Sequence, residues 1–98
     1  MTKRLKIEKG SGNVFFDVGF PPGEAQNLLM RAELMLSIEQ FVRKSGMTQK
    51  DAARALGVTQ PRLNLLLKRR IELFSLDALV NMATRAGMKV KLTVKKAA

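Results

Sequence analysis

The sequence predicts a mainly α-helical domain of four to five helices, with an N-terminal arm and a C-terminal β-strand. Three observations carry that expectation. Apolar residues recur at spacings of three and four between Leu28 and Val42. Capping residues and glycines then punctuate the chain at short intervals, at Ser45-Gly46, Thr48, Gly57, Thr59, Ser75 and Gly87. After Gly87 the pattern turns to alternation, with Met88, Val90, Leu92 and Val94 set between Lys89, Lys91, Thr93 and Lys95. A chain of 98 residues has room for one domain and little for a second. The expected organisation is an arm over 1–23, a helical domain over 24–87, and a strand with a basic tail over 88–98.

In the arm, Leu5 and Ile7 sit among Lys3, Arg4, Lys6 and Lys9, and the GSGN at 10–13 breaks any regular element. That GSG is too short for a phosphate-binding loop. Val14, Phe15, Phe16, Val18 and Phe20 follow without a helical period. Five large apolar groups are costly in water, so the arm is expected to lie ordered on the domain. Pro21, Pro22 and Gly23 mark entry into a helix. From Glu24, the residues Leu28, Ala32, Met35, Ile38 and Val42 form one stripe, widened by Leu34 and Phe41. Arg31, Glu33, Glu39, Gln40 and Arg43 are assigned to the other side. Lys44 suits the last turn, where a cation meets the negative end of the helix dipole. Thr48 caps the next helix, with Asp51 three residues on, and Gly57 ends it. Thr59 caps the one after, and Pro61 falls in its first turn, where backbone N–H groups have no helical acceptor. Ser75 with Asp77 opens the last helix, which Gly87 closes. The six methionines lie mostly on helical stripes and read as core or interface filler.

Composition narrows the function. Lys and Arg number 18 against 8 Asp and Glu, a net charge of +10. Cysteine and histidine are absent, which excludes disulfides and thiolate zinc sites and removes the commonest general base. Only a carboxylate or lysine mechanism would remain open to an enzyme; no enzymatic activity and no cofactor are expected. No apolar run approaches the ~20 residues of a spanning helix. The opening MTKRLKIEKG leads into Gly, Ser, Asn and Asp rather than an apolar signal core, so a cytoplasmic protein is expected. Such a small basic domain suits a polyanion, with nucleic acid first.

The informative stretch is TQKDAARALGVTQPRLNLLLKRR at 48–70. Ala53 is small where two helices must approach closely, Gly57 permits a positive φ in a short turn, and Val58 follows it as an apolar staple. Leu63 and Leu66 return the second helix to the same core. This is the spacing of a helix-turn-helix. Side chains at the start of the second helix, facing away from Leu63 and Leu66, can reach base edges: Gln60, Arg62 and Asn64, with Pro61 offering apolar contact to a thymine methyl. Gln and Asn suit adenine, and Arg suits guanine. Arg62 fits a phosphate equally well. Gln49, Lys50, Thr59, Lys68 and Arg70 are the phosphate candidates. Leu67 extends the core in this reading, while Leu65 leans toward the groove.

With Thr-Gln opening both helices, at Thr48-Gln49 and Thr59-Gln60, the stretch resembles the Xre/Cro-type, lambda-repressor-like family. GNVFFDVGF, RAELMLSI, TQPRL and LFSLDALVNMATRAGMKVKL extend the likeness, over most of residues 12–94, to the HigA-like antitoxins. The resemblance implies that the second helix enters the major groove of a double-stranded DNA operator. It also implies an autoregulating repressor that neutralises a HigB/RelE-like toxin. Solitary phage and plasmid regulators share the arrangement, so a stand-alone regulator is the alternative. A scaffold binding acidic proteins or RNA by charge alone would have no need of Gln60 and Asn64. Members commonly carry Gly where this chain has Arg69, so either Arg69 takes a strained turn or the helix runs on. Phe15, Phe16 and Phe20 are candidates for toxin contact, unless they simply cover the core. The C-terminal strand is expected to pair antiparallel with its copy in a homodimer, burying Val90, Leu92 and Val94. Leu5–Ile7 or Val14–Phe16 of the same chain are its other candidate partners.

Overall fold

A computed structural model of the protein describes residues 12–96. Its order is α1 (Val14–Asp17), α2 (Pro22–Ser45), α3 (Gln49–Leu56), α4 (Gln60–Leu67), a 3-10 turn at Ile71–Leu73, and α5 (Leu76–Arg85). The 24-residue α2 is the spine. α1 and α5 pack along it, and α3 packs against both α4 and α5. Ile38, Leu56, Leu63, Leu66, Phe74 and Leu79 are fully enclosed where these elements meet, so every element from α2 onward contributes to one core.

The helix ends fall where local chemistry requires. Gly46 closes α2 at φ 72° and Gly57 closes α3 at φ 75°, both left-handed. Oxygens of Thr48, Thr59 and Ser75 each accept the backbone N–H three residues on, at 3.1, 3.2 and 3.1 Å. Pro22 occupies the first turn of α2, two residues ahead of the expected start at Glu24.

Two expectations are corrected, and a third, the C-terminal strand, is not met within the single chain. The arm, expected to lack a helix, contains the single turn α1. The Asn13 side chain accepts from the N–H groups of Phe15 and Phe16 at 2.9 and 3.2 Å and starts it. One turn is too short to show a period. Glu39, assigned to the polar side of α2, is only 4% exposed. Residues 88–96 form no strand. The Met88 N–H bonds to the Ala83 carbonyl at 3.0 Å, and beyond it the backbone has no ladder partner among the described residues. A strand exists only as part of a pair, and within this chain Val14–Phe16 has become helical while Leu5–Ile7 lies outside the described residues.

Candidate nucleic-acid interface

The α3–turn–α4 unit is held by its own turn. Val58 N–H bonds to the Ala53 carbonyl at 3.0 Å, and Leu63 N–H to the Thr59 carbonyl at 3.0 Å. Gly57 is required by its backbone. Its φ is 75°, while a Cβ there would meet only the far end of the exposed Arg85 side chain, which crosses the turn from the end of α5 and is free to swing aside. Val58 is half-buried against the core, and Leu63 and Leu66 anchor α4 beneath.

Those anchors turn the opposite face of α4 outward. Gln60, Pro61, Asn64 and Lys68 are exposed along it, Gln49 and Lys50 are exposed at the start of α3, and the cap Thr59 is exposed as well. Arg62 departs from this set. Its Nη2 donates to the Leu73 carbonyl at 2.9 Å, and its guanidinium carbon lies 4.1 Å from the centroid of the Phe74 ring. Arg70 is also engaged, its Nε 2.7 Å from Glu72 Oε2. The Glu72 carboxyl sits below its ordinary value because its own backbone N–H and Arg70 favour the charged form. Leu65, expected to lean toward the groove, is half-buried against the core, as is Leu67.

Behind α4, Arg69 takes the left-handed conformation at φ 62°, so the helix stops rather than running on. Arg69 N–H bonds to the Leu66 carbonyl at 2.8 Å and Arg70 N–H to the Leu65 carbonyl at 3.2 Å, the paired bonds of a Schellman turn. The Arg69 guanidinium reaches Glu39 of α2 at 3.4 Å, and Arg43 Nη2 meets the same carboxylate at 2.6 Å. Burial alone would raise the pKa of Glu39, but the hydrogen bonds and charges of Arg43 and Arg69 outweigh it and hold the carboxyl below its ordinary value. Arg31 of α2 supports the same region, Nη1 lying 3.3 Å from the Ile71 carbonyl and 3.2 Å from that of Phe74. Sequence reasoning missed Glu39 and Arg31. The only signals were the i,i+4 spacing of Glu39 and Arg43 and the arginine at a position where glycine is usual.

Elsewhere, Phe15 is half-buried and meets Phe20 edge-to-face at 6.2 Å, whereas Phe16 and Phe20 remain 45% and 39% exposed. Val90, Leu92 and Val94 are 42%, 76% and 84% exposed on the tail. Between α2, α5 and that tail runs an open slot of about 680 Å³, with Met30, Leu34, Val80 and Ala83 on its walls. Among the described residues no helix is long and apolar enough to cross a membrane, and no cluster of groups could hold a metal ion.

A family model described as a helix-turn-helix domain matches residues 14–95, the greater part of the chain. No curated protein matches the sequence.

Proposed function

The chain belongs to the helix-turn-helix domain family, and we propose that it is a sequence-specific, DNA-binding transcriptional repressor acting as a dimer. The observation that carries this reading is the exposed set Gln60, Pro61 and Asn64 at the capped start of α4, on a chain of net charge +10. With α4 in the major groove, Gln60 and Asn64 pair with adenine edges and Pro61 meets a thymine methyl. Gln49, Lys50, Thr59 and Lys68 hold phosphates on either side. Arg70, tied to Glu72, joins them by exchanging one anion for another.

One helix-turn-helix reads only a few base pairs, so two copies about 34–36 Å apart are the usual route to specificity. Antiparallel pairing of the 88–95 segments would satisfy their backbone groups and cover Val90, Leu92 and Val94, with the adjoining slot taking apolar side chains of the second copy. Lys89, Lys91 and Lys95 would then face water and limit further addition. The sequence resemblance to HigA-like antitoxins, together with the exposed rings of Phe16 and Phe20, supports a further role in neutralising a HigB/RelE-like toxin.

Selection of bound duplexes from a random library tests the DNA reading, and failure to enrich any sequence overturns it. Gln60→Ala and Asn64→Ala should each lose discrimination worth ~1–3 kcal/mol per bidentate contact, whereas Lys68→Ala weakens all duplexes alike. Co-expression with the adjacent reading frame tests the toxin. Growth rescue and copurification support the antitoxin; their absence leaves a stand-alone regulator.

A further inference from the structure

We propose that Arg62 is a positioning residue of α4 that touches neither base nor phosphate: it locks the first turn of the helix to the loop before α5, and thereby aims Gln60 and Asn64. The proposal rests on the DNA-binding reading of α4 given above.

Phe74 is 1% exposed, so its ring is a fixed platform. Arg62 covers that ring at 4.1 Å and at the same time donates to the Leu73 carbonyl at 2.9 Å. A planar guanidinium can stack by its face and donate from its edge; an ammonium cannot do both. From α2, Arg31 holds the carbonyls of Ile71 and Phe74 in the same loop. Two arginines, one from α2 and one from α4, thus grip three carbonyls within four residues. The grip matters at α4 because Arg62 lies between Gln60 and Asn64, two residues from each. Rotation or sliding of this turn would break the stack and the Leu73 bond before either neighbouring side chain lost its aim. Reaching a phosphate would exchange both contacts for one solvent-screened ion pair.

The test uses the full chain as wild type, R62A, R62M and R62K, on the duplexes that wild type enriches from a random library. The expected result is a wild-type salt slope in all three variants, with discrimination reduced about five-fold or more in each. That loss should fall at the base pairs that Gln60→Ala and Asn64→Ala also relax, and R62K should not restore it. A slope reduced by about one in R62M and restored in R62K would make Arg62 a phosphate contact and overturn the proposal. Loss confined to a base pair that neither Gln60 nor Asn64 governs would make it a base reader and overturn it equally. The grip itself is checked without DNA, by a double-mutant cycle of R62A with F74L in urea unfolding. Coupling of about two- to five-fold in the unfolding constant is expected, and additive effects overturn the grip. A wild type that enriches no duplex overturns the DNA reading and Arg62's part in it, while the cycle still decides the grip.

Discussion

Arg69 ends α4 in a left-handed turn and, from that turn, places its Nε 3.4 Å from Oε1 of the buried Glu39 on α2. One residue therefore both stops the candidate recognition helix and ties its far end to the spine. The conformation costs about 1–2 kcal/mol for a residue with a Cβ. The ion pair returns part of that, discounted because the Arg69 side chain is 71% exposed.

Replacing Arg69 separates these two effects. Arg69→Gly removes the strain and the pair together. Arg43 remains on Glu39 at 2.6 Å, so the carboxylate keeps a partner, and stability should stay within about 1 kcal/mol of wild type. Arg69→Val keeps the strain, worsened by its β-branch, and loses the pair; it should cost about 1–3 kcal/mol. Urea midpoints of the two variants check the order. Val at or above Gly would contradict it.

Glu39 predicts an acid limit to stability. Its folded pKa lies below the ordinary value, so its contribution is complete above the ordinary carboxylate range and is lost as pH falls through the lowered folded value. Glu39→Gln should be less stable near neutrality, because Arg43 and Arg69 then face a neutral amide. Its stability should also fall less steeply in acid than that of wild type. Unfolding midpoints measured from neutral pH downward give both curves. Parallel curves would show that Glu39 is not the group responsible.

These contacts mark where the sequence stopped being legible. The caps at Thr48, Thr59 and Ser75 and the glycine stops are local, each settled within a few residues, and the structure agrees with them. The exposed face of α4 that carries Gln60 and Asn64 followed from the anchors Leu63 and Leu66, and the exposure of Gln49 from its place at the start of α3. Glu39 was misplaced because periodicity ranks residues by polarity, whereas one of the partners that lets this carboxylate be buried, Arg69, lies thirty positions away in the chain. Arg62 looked outward for the same reason; its partners Leu73 and Phe74 enter from another element. The tail's alternation at 88–95 is not matched by two unlike faces in the single chain, where Val90, Leu92 and Val94 are all exposed, and alternation says nothing of which chain would supply a partner strand.

Gly57 and Gly46 form a natural control pair. Both have positive φ, 75° and 72°, but a Cβ at Gly46 meets nothing within 4 Å, whereas one at Gly57 meets Arg85. Both Gly46→Ala and Gly57→Ala should therefore cost the backbone strain, about 1 kcal/mol, with only a small excess at Gly57 for moving the flexible tip of Arg85. In an Arg85→Ala background that excess should vanish, since the side chain that must move is gone. Chemical unfolding of the four proteins reads this directly. An excess that survives Arg85→Ala would place the obstruction elsewhere.

The proposed dimer is tested best at Leu92. This side chain is 76% exposed in the single chain, so Leu92→Asp removes little packing there and should leave monomer stability within about 0.5 kcal/mol. In an antiparallel pair of tails it would instead set a carboxylate against apolar groups of the second copy, at a cost of several kcal/mol unless the pair separates. Wild type should accordingly sediment as a dimer at micromolar concentration, with a midpoint of thermal unfolding that rises with concentration. Leu92→Asp should sediment as a monomer, keep its helical circular dichroism, and bind a half-site while losing the full operator. Lys91→Asp, one residue away on the side expected to face water, should remain a dimer. If Leu92→Asp also stays dimeric and binds the full operator unchanged, the tails are not the interface and the two-fold axis lies on another surface.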